Sequence, residues 1–239
     1  MDKKVLLVIP AYNEEANILN TYQKIQECCQ KIQKKYDVIV INDGSTDQTE
    51  NILMNNGIPH IHLIHNLGIG GAVQTGYKYA YQNNYDIAIQ FDGDGQHDVN
   101  FVEKLIQPII SGEANMTIGS RFIDKTSSDF KSTKARQMGI KLISSFIHFC
   151  TKKKIYDVTS GFRAIDRNLI ARFSITYPLE YPEPISTTEI LKSGLNVKEV
   201  AVSMNERTGG VSSIHSWKNA YYMINVLLSI FIVAARGND

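Results

Sequence analysis

Cysteine is scarce in this chain of 239 residues: there are three, and none is spaced for a metal site. Cys28 and Cys29 are adjacent in a helix-period stretch and Cys150 stands alone, which argues against both a disulfide framework and a thiolate cluster. The adjacent pair reads as small apolar groups of a core, and a reduced, cytoplasmic compartment is the default expectation. Charge of one sign is also missing. Twenty-five Lys/Arg against twenty-four Asp/Glu leave +1, so a generic nucleic-acid binder is excluded. No repeat and no low-complexity tract occurs. Met1-Asp2-Lys3-Lys4 precedes only five apolar residues before Pro10, too few for a signal-peptide core. What remains is globular composition, 43% hydrophobic and 21% charged, in a length that suits one large domain.

The near-zero total hides an asymmetry. Residues 121–163 hold ten Lys/Arg and three Asp, a local +7, so the rest of the chain sums to −6. Such a split suggests an anionic surface or substrate near the middle of the chain. Lys152-Lys153-Lys154 within it reads as a solvated face, with attraction to anionic lipid as the alternative.

Short β-branched runs alternate with helix-period stretches. Val5–Ile9, Val38–Ile41, Ile61–Ile64, Ile87–Phe91 and Met116–Ile118 have strand character. Glu14–Lys35, Thr46–Asn55, Gly70–Gln82 and Asn100–Ile110 have helical length and spacing. Later, Ala135–Cys150 reads as a helix, Asp157–Arg163 as a turn-rich segment and Asn196–Ser203 as a strand. Alternation with near-continuous apolar strands predicts an α/β fold with a parallel sheet covered on both faces. Ligands of such sheets sit beyond the carboxyl ends of the strands. The tail, Ala220–Ala235, is sixteen mostly apolar residues, about 24 Å of helix at ~1.5 Å per residue. It fits a core or oligomer helix, an interfacial helix, or a marginal transmembrane segment.

The residues at the strand ends carry the chemistry. Asp92-Gly93-Asp94-Gly95-Gln96-His97 follows the fourth strand, and its two aspartates with the Gln96 amide offer hard oxygen donors suited to Mg²⁺ or Mn²⁺. A site with few protein ligands leaves room for phosphate oxygens. His97 is a further candidate ligand, although a loop histidine reads first as a solvated residue. Asp43, ending the second strand, is placed to accept an N–H from a base ring, while Ser45, Thr46 and Asp47 read as an Asx turn and helix cap. Tyr12 offers an aromatic plate. Glu14 is either an acceptor or a favourable charge in a first helical turn, as is Glu15. Gly68-Ile69-Gly70-Gly71 follows the third strand rather than opening the first unit, so close helix–strand packing outranks a pyrophosphate cradle and a nicotinamide oxidoreductase is disfavoured. Arg121, Arg136, Arg163 and Arg207 are candidate phosphate ligands, Arg163 favoured because its surroundings are too apolar for a solvated turn.

Together these residues resemble the family 2 inverting glycosyltransferases, in particular the dolichyl- or polyprenyl-phosphate sugar synthases and their small bacterial relatives. The matching pieces, in family order, are Ile9–Glu15, Asn42–Ser45, Asn66–Ala72, Asp92–His97, Gly119–Arg121, Thr159–Arg163 and Glu206–Ser212. The resemblance implies a GT-A fold over 1–213, a mostly parallel central sheet flanked by helices, followed by a hydrophobic or amphipathic C-terminal helix in 214–239. It implies a nucleotide-sugar donor, with uridine ahead of guanosine as the base, and places Pro10, Ala11, Tyr12, Glu14 and Asp43 on the nucleoside. Asp92, Asp94 and Gln96 would hold the metal, with Asp94 central to catalysis. Arg121 and Arg136 would meet the acceptor phosphate and Arg207 the donor phosphates. Two departures stand out: Ser213 replaces a lysine, and Tyr181-Pro182-Glu183-Pro184-Ile185 stands where hydroxyl-acceptor members carry a Glu-Asp base. The expected reaction is transfer to a membrane polyprenyl phosphate at the inner face of the membrane, by a peripherally associated protein able to self-associate through its C-terminal helix. The alternatives are a hydroxyl of a lipid-linked glycan in cell-wall or other surface polysaccharide synthesis, with Glu183 as base, and a nucleotide-binding assembly subunit without catalysis.

Overall fold

Seven consecutive residues, Val5–Ala11, are buried without interruption and form β1, an interior strand of the sheet. A strand apolar on both faces needs a cover on each, and the chain supplies helices in turn. The computed structural model describes residues 3–34, 36–93, 95–123, 134–203 and 216–236, the side chains of 134–136 and 216–220 excepted. In order, the elements are β1, α1 (Ile18–Lys31), β2 (Asp37–Asn42), α2 (Thr49–Asn55), β3 (His60–His62), α3 (Gly68–Gln82) and β4 (Ile87–Gln90). A 3₁₀ turn (Val99–Phe101) leads into α4 (Val102–Ile110), then β5 (Met116–Ser120), α5 (Lys134–Thr151), β6 (Arg163–Asp166) and α6 (Arg167–Ile175). The chain ends with α7 (Pro182–Lys192), β7 (Val197–Ala201) and α8 (Ser216–Ala235).

The strand order is β3-β2-β1-β4-β6-β5-β7. All pairings are parallel except those of β6, which runs antiparallel to β4 and to β5. The mostly parallel α/β sheet flanked by helices is therefore present as expected. Leu6 and Val8 pack with α3, α5 and α6 on one face; Val5, Leu7 and Ile9 pack with α1, α2 and α4 on the other. Cys28 and Cys29 are buried in the second layer as free thiols. Gly76 lets α3 lie close to β1, because a Cβ there would sit 2.1 Å from Val8 Cγ1. Gly70 similarly faces the carbonyls of Pro178 and Leu179, each 2.4 Å from where its Cβ would be. These contacts account for Gly70 and Gly76 as packing residues.

Four elements depart from the sequence reading. The turn-rich segment ending at Arg163 gives way to β6, whose four residues open with a charge and so carry no strand pattern. α6 and α7 had no sequence expectation. α1 begins at Ile18, not Glu14, because Asn13 is left-handed at φ 54° and the Glu14 carbonyl accepts from Asn17 and Ile18 N–H in a turn.

α8 packs on α5 and α7, and Val226 and Ile230 are fully buried in the same core as β1. Among the described residues no helix, α8 included, is long and apolar enough to cross a membrane, which removes the spanning alternative for the tail. Tyr221, Ile224, Leu228 and Phe231 of α8 stay exposed, as do Met138, Leu142 and Phe149 of α5. The boundary expected between 213 and 214 lies outside the described residues.

Candidate active site

β1, β2, β4 and β5 run parallel, so their carboxyl ends share one edge; antiparallel β6 brings its preceding loop, 157–162, to that same edge. The register Gln90↔Arg163 fixes this loop beside Asp92. A cavity of about 620 Å³ opens there.

One end of it is built by Pro10, Ala11, Tyr12 and Glu14 after β1, with Asp43 after β2. The two loops are stitched together: Asn13 N–H donates to Ser45 Oγ (3.0 Å) and Thr46 N–H to Asn13 Oδ1 (2.8 Å). Glu15 N–H donates to Asp47 Oδ2 (3.1 Å), and Gln48 N–H returns a bond to Glu15 Oε2 (2.8 Å). Ser45 N–H donates to Asn42 Oδ1, which completes the expected Asx-type turn. The helix end is served by Asp47, which accepts from both Thr49 N–H (2.9 Å) and Thr49 Oγ1 (2.6 Å), rather than by Ser45 or Thr46. Burial opposes ionisation of Asp47, but the bonds from Thr49 and Glu15 outweigh it and lower its pKa. Asp43 is 3% exposed, and its Oδ1 accepts Leu67 N–H at 2.7 Å. Gly44, at φ +66°, permits the close approach of residues 65–66 that this bond requires. Tyr12 stands exposed at the rim, an aromatic face open to a planar ring.

The middle is built by Asp92, Gly93, Gln96 and His97. Asp94 lies outside the described residues, and among these no three His, Cys, Asp or Glu side chains gather as a metal cluster. His97, expected to be solvated, is instead buried among Phe91 and Phe162. Its position depends on Phe162, which the loop preceding β6 supplies; nothing local to the 92–97 loop signals it.

The far wall is built by Arg121, Thr159, Ser160, Gly161, Gln90 and Glu183. Arg121 is buried, and its Nε and Nη2 donate to the two oxygens of Asp157 at 2.8 and 2.7 Å. This is an edge a phosphate can take bidentately, so a phosphate approaching by the Nε–Nη2 edge of Arg121 competes with Asp157. Arg163 corrects the sequence reading outright. It is 1% exposed, and it donates to the carbonyls of Ser160 (2.7 Å), Glu183 (2.8 Å) and Val158 (2.9 Å). It also reaches Thr187 Oγ1 (2.9 Å) and Ser186 Oγ (3.3 Å). Arg163 is thus an internal strut tying the 158–160 loop to the start of α7; its apolar surroundings reflect burial, not phosphate binding.

Glu183 follows Pro182 at the α7 N-terminus, where Tyr181 is left-handed at φ 49°. Burial raises its pKa, the Arg163 guanidinium opposes this, and the nearby Asp92 carboxylate adds to it. Gln90 Nε2 donates to Glu183 Oε1 at 3.4 Å, while Gln90 Oε1 is buried with no partner among the described residues. Gln90 shares the cavity side of β4 with Asp92 through the two-residue strand period, a signal the sequence reading passed over. Of the remaining expected residues, Arg207 lies outside the described residues, and Arg136 is on α5 with its side chain outside them.

The family model described as glycosyl transferase family 2 matches residues 6–173. The chain belongs to glycosyl transferase family 2. A Methanococcus voltae relative, UDP-N-acetylglucosamine–dolichyl-phosphate N-acetylglucosaminyltransferase, is 34% identical over 222 residues, 84% of this chain and 85% of the relative. Polyprenol monophosphomannose synthase of Mycolicibacterium smegmatis is 24% identical across 89% of this chain and 81% of its own length. Among solved structures, glucosyl-3-phosphoglycerate synthase from Mycobacterium tuberculosis, in a complex with Mn²⁺, UDP and phosphoglyceric acid, superposes with TM-score 0.69 at 19% identity, over 99% of this chain and 80% of that one. That likeness establishes the GT-A fold. This family 2 member is therefore a glycosyltransferase, and the site just described is its candidate active site.

Proposed function

We propose that this glycosyltransferase moves a sugar, with inversion, from a uridine diphosphate donor to a polyprenyl phosphate. One observation carries the reading: a single cavity joins an aromatic plate and a buried carboxylate, Tyr12 and Asp43, to the oxygen donors Asp92 and Gln96, the span a nucleoside diphosphate needs. The M. voltae and M. smegmatis relatives are named for dolichyl phosphate and polyprenol acceptors, and the former for a UDP-sugar, which supports donor and acceptor classes.

Tyr12 stacks on the base, Asp43 accepts a ring N–H, and Pro10, Ala11 and Glu14 shape that end. The donor set fits a hard divalent cation: Asp92 presents a part-exposed carboxylate and Gln96 an amide on the same cavity, with Asp94 two residues from each. Mg²⁺ or Mn²⁺ held there supplies Lewis-acid stabilisation of charge on a departing diphosphate. Arg207 is assigned to the donor phosphates and Arg136, with Arg121, to the acceptor phosphate. A phosphate oxygen is already anionic and needs no base, so Glu183 serves to shape the wall. The second reading, a hydroxyl of a lipid-linked glycan as acceptor, is favoured by one observation, the raised pKa of Glu183, which suits a general base.

The exposed apolar stripes of α5 and α8, beside Lys152, Lys153 and Lys154, support peripheral association with the cytoplasmic face of a membrane. Lys152 lies over Phe149 at 5.2 Å and Lys154 over Tyr156 at 4.7 Å, an arrangement suited to an anionic interface.

The test is a screen of UDP-, GDP- and dTDP-sugars with Mn²⁺ against a polyprenyl phosphate, read as glycolipid product. A UDP-sugar product that Asp94→Asn abolishes and Glu183→Gln spares is the expected result. Loss of several orders of magnitude in Glu183→Gln moves the acceptor to a hydroxyl, and absence of transfer or donor hydrolysis in every arm overturns the reading.

A further inference from the structure

His97 is 6% exposed, in a loop where its ring has no covalent reason to be inside. Three aromatic rings explain where it sits. Its imidazole stacks on Phe162 (centroids 4.8 Å apart, 22° between planes) and meets Phe91 edge-on at 5.4 Å; Phe91 and Phe162 meet edge-on at 5.6 Å. The plane of the imidazole is therefore fixed from two sides.

Its nitrogens are then both turned on one residue. Asp92 N–H donates to Nδ1 at 2.9 Å. A ring nitrogen that accepts an N–H carries no proton, so the hydrogen-bond network assigns the proton of the neutral imidazole to Nε2. Nε2 lies 3.4 Å from Asp92 Oδ2. The same carboxylate is closed in by Gly161 of the loop preceding β6, where a Cβ would stand 2.9 Å from Oδ2 and 3.0 Å from Oδ1. Phe162, next in sequence, is the ring that stacks on His97. One turn of chain, Gly161-Phe162, thus sets both the space of the Asp92 carboxylate and the plane of its neighbour.

We propose that His97 is a positioning residue that holds Asp92 by its backbone N–H and its Oδ2, so that the carboxylate meets a divalent cation in one preset orientation. The proposal rests on the reading of Asp92 as a cation ligand. Outer-shell partners that orient metal-binding side chains in this way are worth about 10–100-fold in metal affinity. A ring kept only for packing is worth nothing to the metal, and this difference makes the proposal testable.

The experiment is a Mn²⁺ titration of the full chain at saturating UDP, with free Mn²⁺ read by its paramagnetic resonance, beside UDP affinity measured in EDTA. His97→Phe keeps the stacked rings and removes both nitrogens. Its Mn²⁺ affinity is expected to fall about 10–100-fold with metal-free UDP affinity unchanged, and His97→Asn, which returns an acceptor near the Nδ1 position, recovers part of the loss. Gly161→Ala presses on the same carboxylate without touching His97, so it stands in if His97→Phe does not fold, and is expected to weaken Mn²⁺ in the same way. Wild-type Mn²⁺ affinity in His97→Phe, or in Gly161→Ala where His97→Phe is unfolded, overturns the positioning role alone. A wild-type chain that binds UDP but no Mn²⁺ overturns the cation reading, and the proposal with it.

Discussion

Arg163→Met removes the five hydrogen bonds of a fully buried guanidinium while roughly keeping its volume. Two backbone carbonyls, those of Val158 and Ser160, lose their donor, whereas the Glu183 carbonyl keeps Thr187 Oγ1 at 2.7 Å. A buried acceptor left without a partner costs about 1–3 kcal/mol, so two bracket roughly 2–6 kcal/mol. Loss of a buried charge offsets part of this, which places the expected destabilisation at about 2–4 kcal/mol. Against a typical stability of about 5–15 kcal/mol the variant stays folded but weakened, with a Tm lower by on the order of 4–16 °C. Urea unfolding measures the loss directly, and UDP affinity at low temperature checks that the nucleoside end is intact. Stability within about 1 kcal/mol of wild type, together with lost affinity for a prenyl phosphate, refutes the argument and makes Arg163 a phosphate ligand after all.

Glu183 carries a pH signature. Its folded pKa is raised above the ordinary 4.5, so the native state binds more protons there than the unfolded chain. Its contribution to stability is therefore complete below about 4.5 and declines as pH rises through the folded value. Glu183→Gln is expected to flatten that decline in denaturant midpoints measured from pH 4 to pH 8; an unchanged slope refutes the assignment. Gly76→Ala pushes a methyl to 2.1 Å from Val8 Cγ1 and is expected to cost about 1–3 kcal/mol. Val8→Ala in the same chain restores part of it, with a coupling of about 0.5–3 kcal/mol in a double-mutant cycle, whereas simple additivity denies the contact. Phe149→Ser with Leu228→Ser is expected to lower co-sedimentation with phosphatidylglycerol vesicles at least about tenfold, and Lys152, Lys153 and Lys154→Gln to remove the salt dependence. Wild-type protein that ignores these vesicles but dimerises in sedimentation velocity, and loses the dimer in Leu228→Ser, assigns the face to a second copy.

The half of the molecule from β1 to β5 was legible because β1, β2, β4 and β5 are buried on both sides. A run such as Val5–Ala11, apolar throughout, has no other stable home than the middle of a covered sheet. Tyr12, Asp43, Asp92 and Gln96 were legible for the same reason: once strands are placed, their carboxyl ends are placed too. β6 and α7 were not. α7 buries Pro182, Pro184, Ser186, Thr187 and Thr188, small or polar residues with no 3.6-residue apolar stripe. Ser186 and Thr187 belong inside only because Arg163 meets them there, a tertiary partner that no local pattern announces. His97 was hidden likewise, since Phe162 reaches it through the antiparallel placement of β6.

That inserted strand also changes how the charge of the middle segment is to be understood. The local +7 of residues 121–163 is a formal count that takes no account of burial. Two of the ten are internal: Arg121 is neutralised by Asp157, and Arg163 is surrounded by carbonyls and hydroxyls. Three more, Lys152, Lys153 and Lys154, are exposed just after α5. The remaining cations are Lys125, Lys131, Lys134, Arg136 and Lys141, all between the end of β5 and the first turns of α5. Setting aside these two internal guanidinium groups, the excess of the segment is carried, in sequence, by residues 125–141 and 152–154. Burial separates a wall role from a binding role most clearly at Arg163, because a guanidinium saturated by fixed internal partners has few donors left for a substrate.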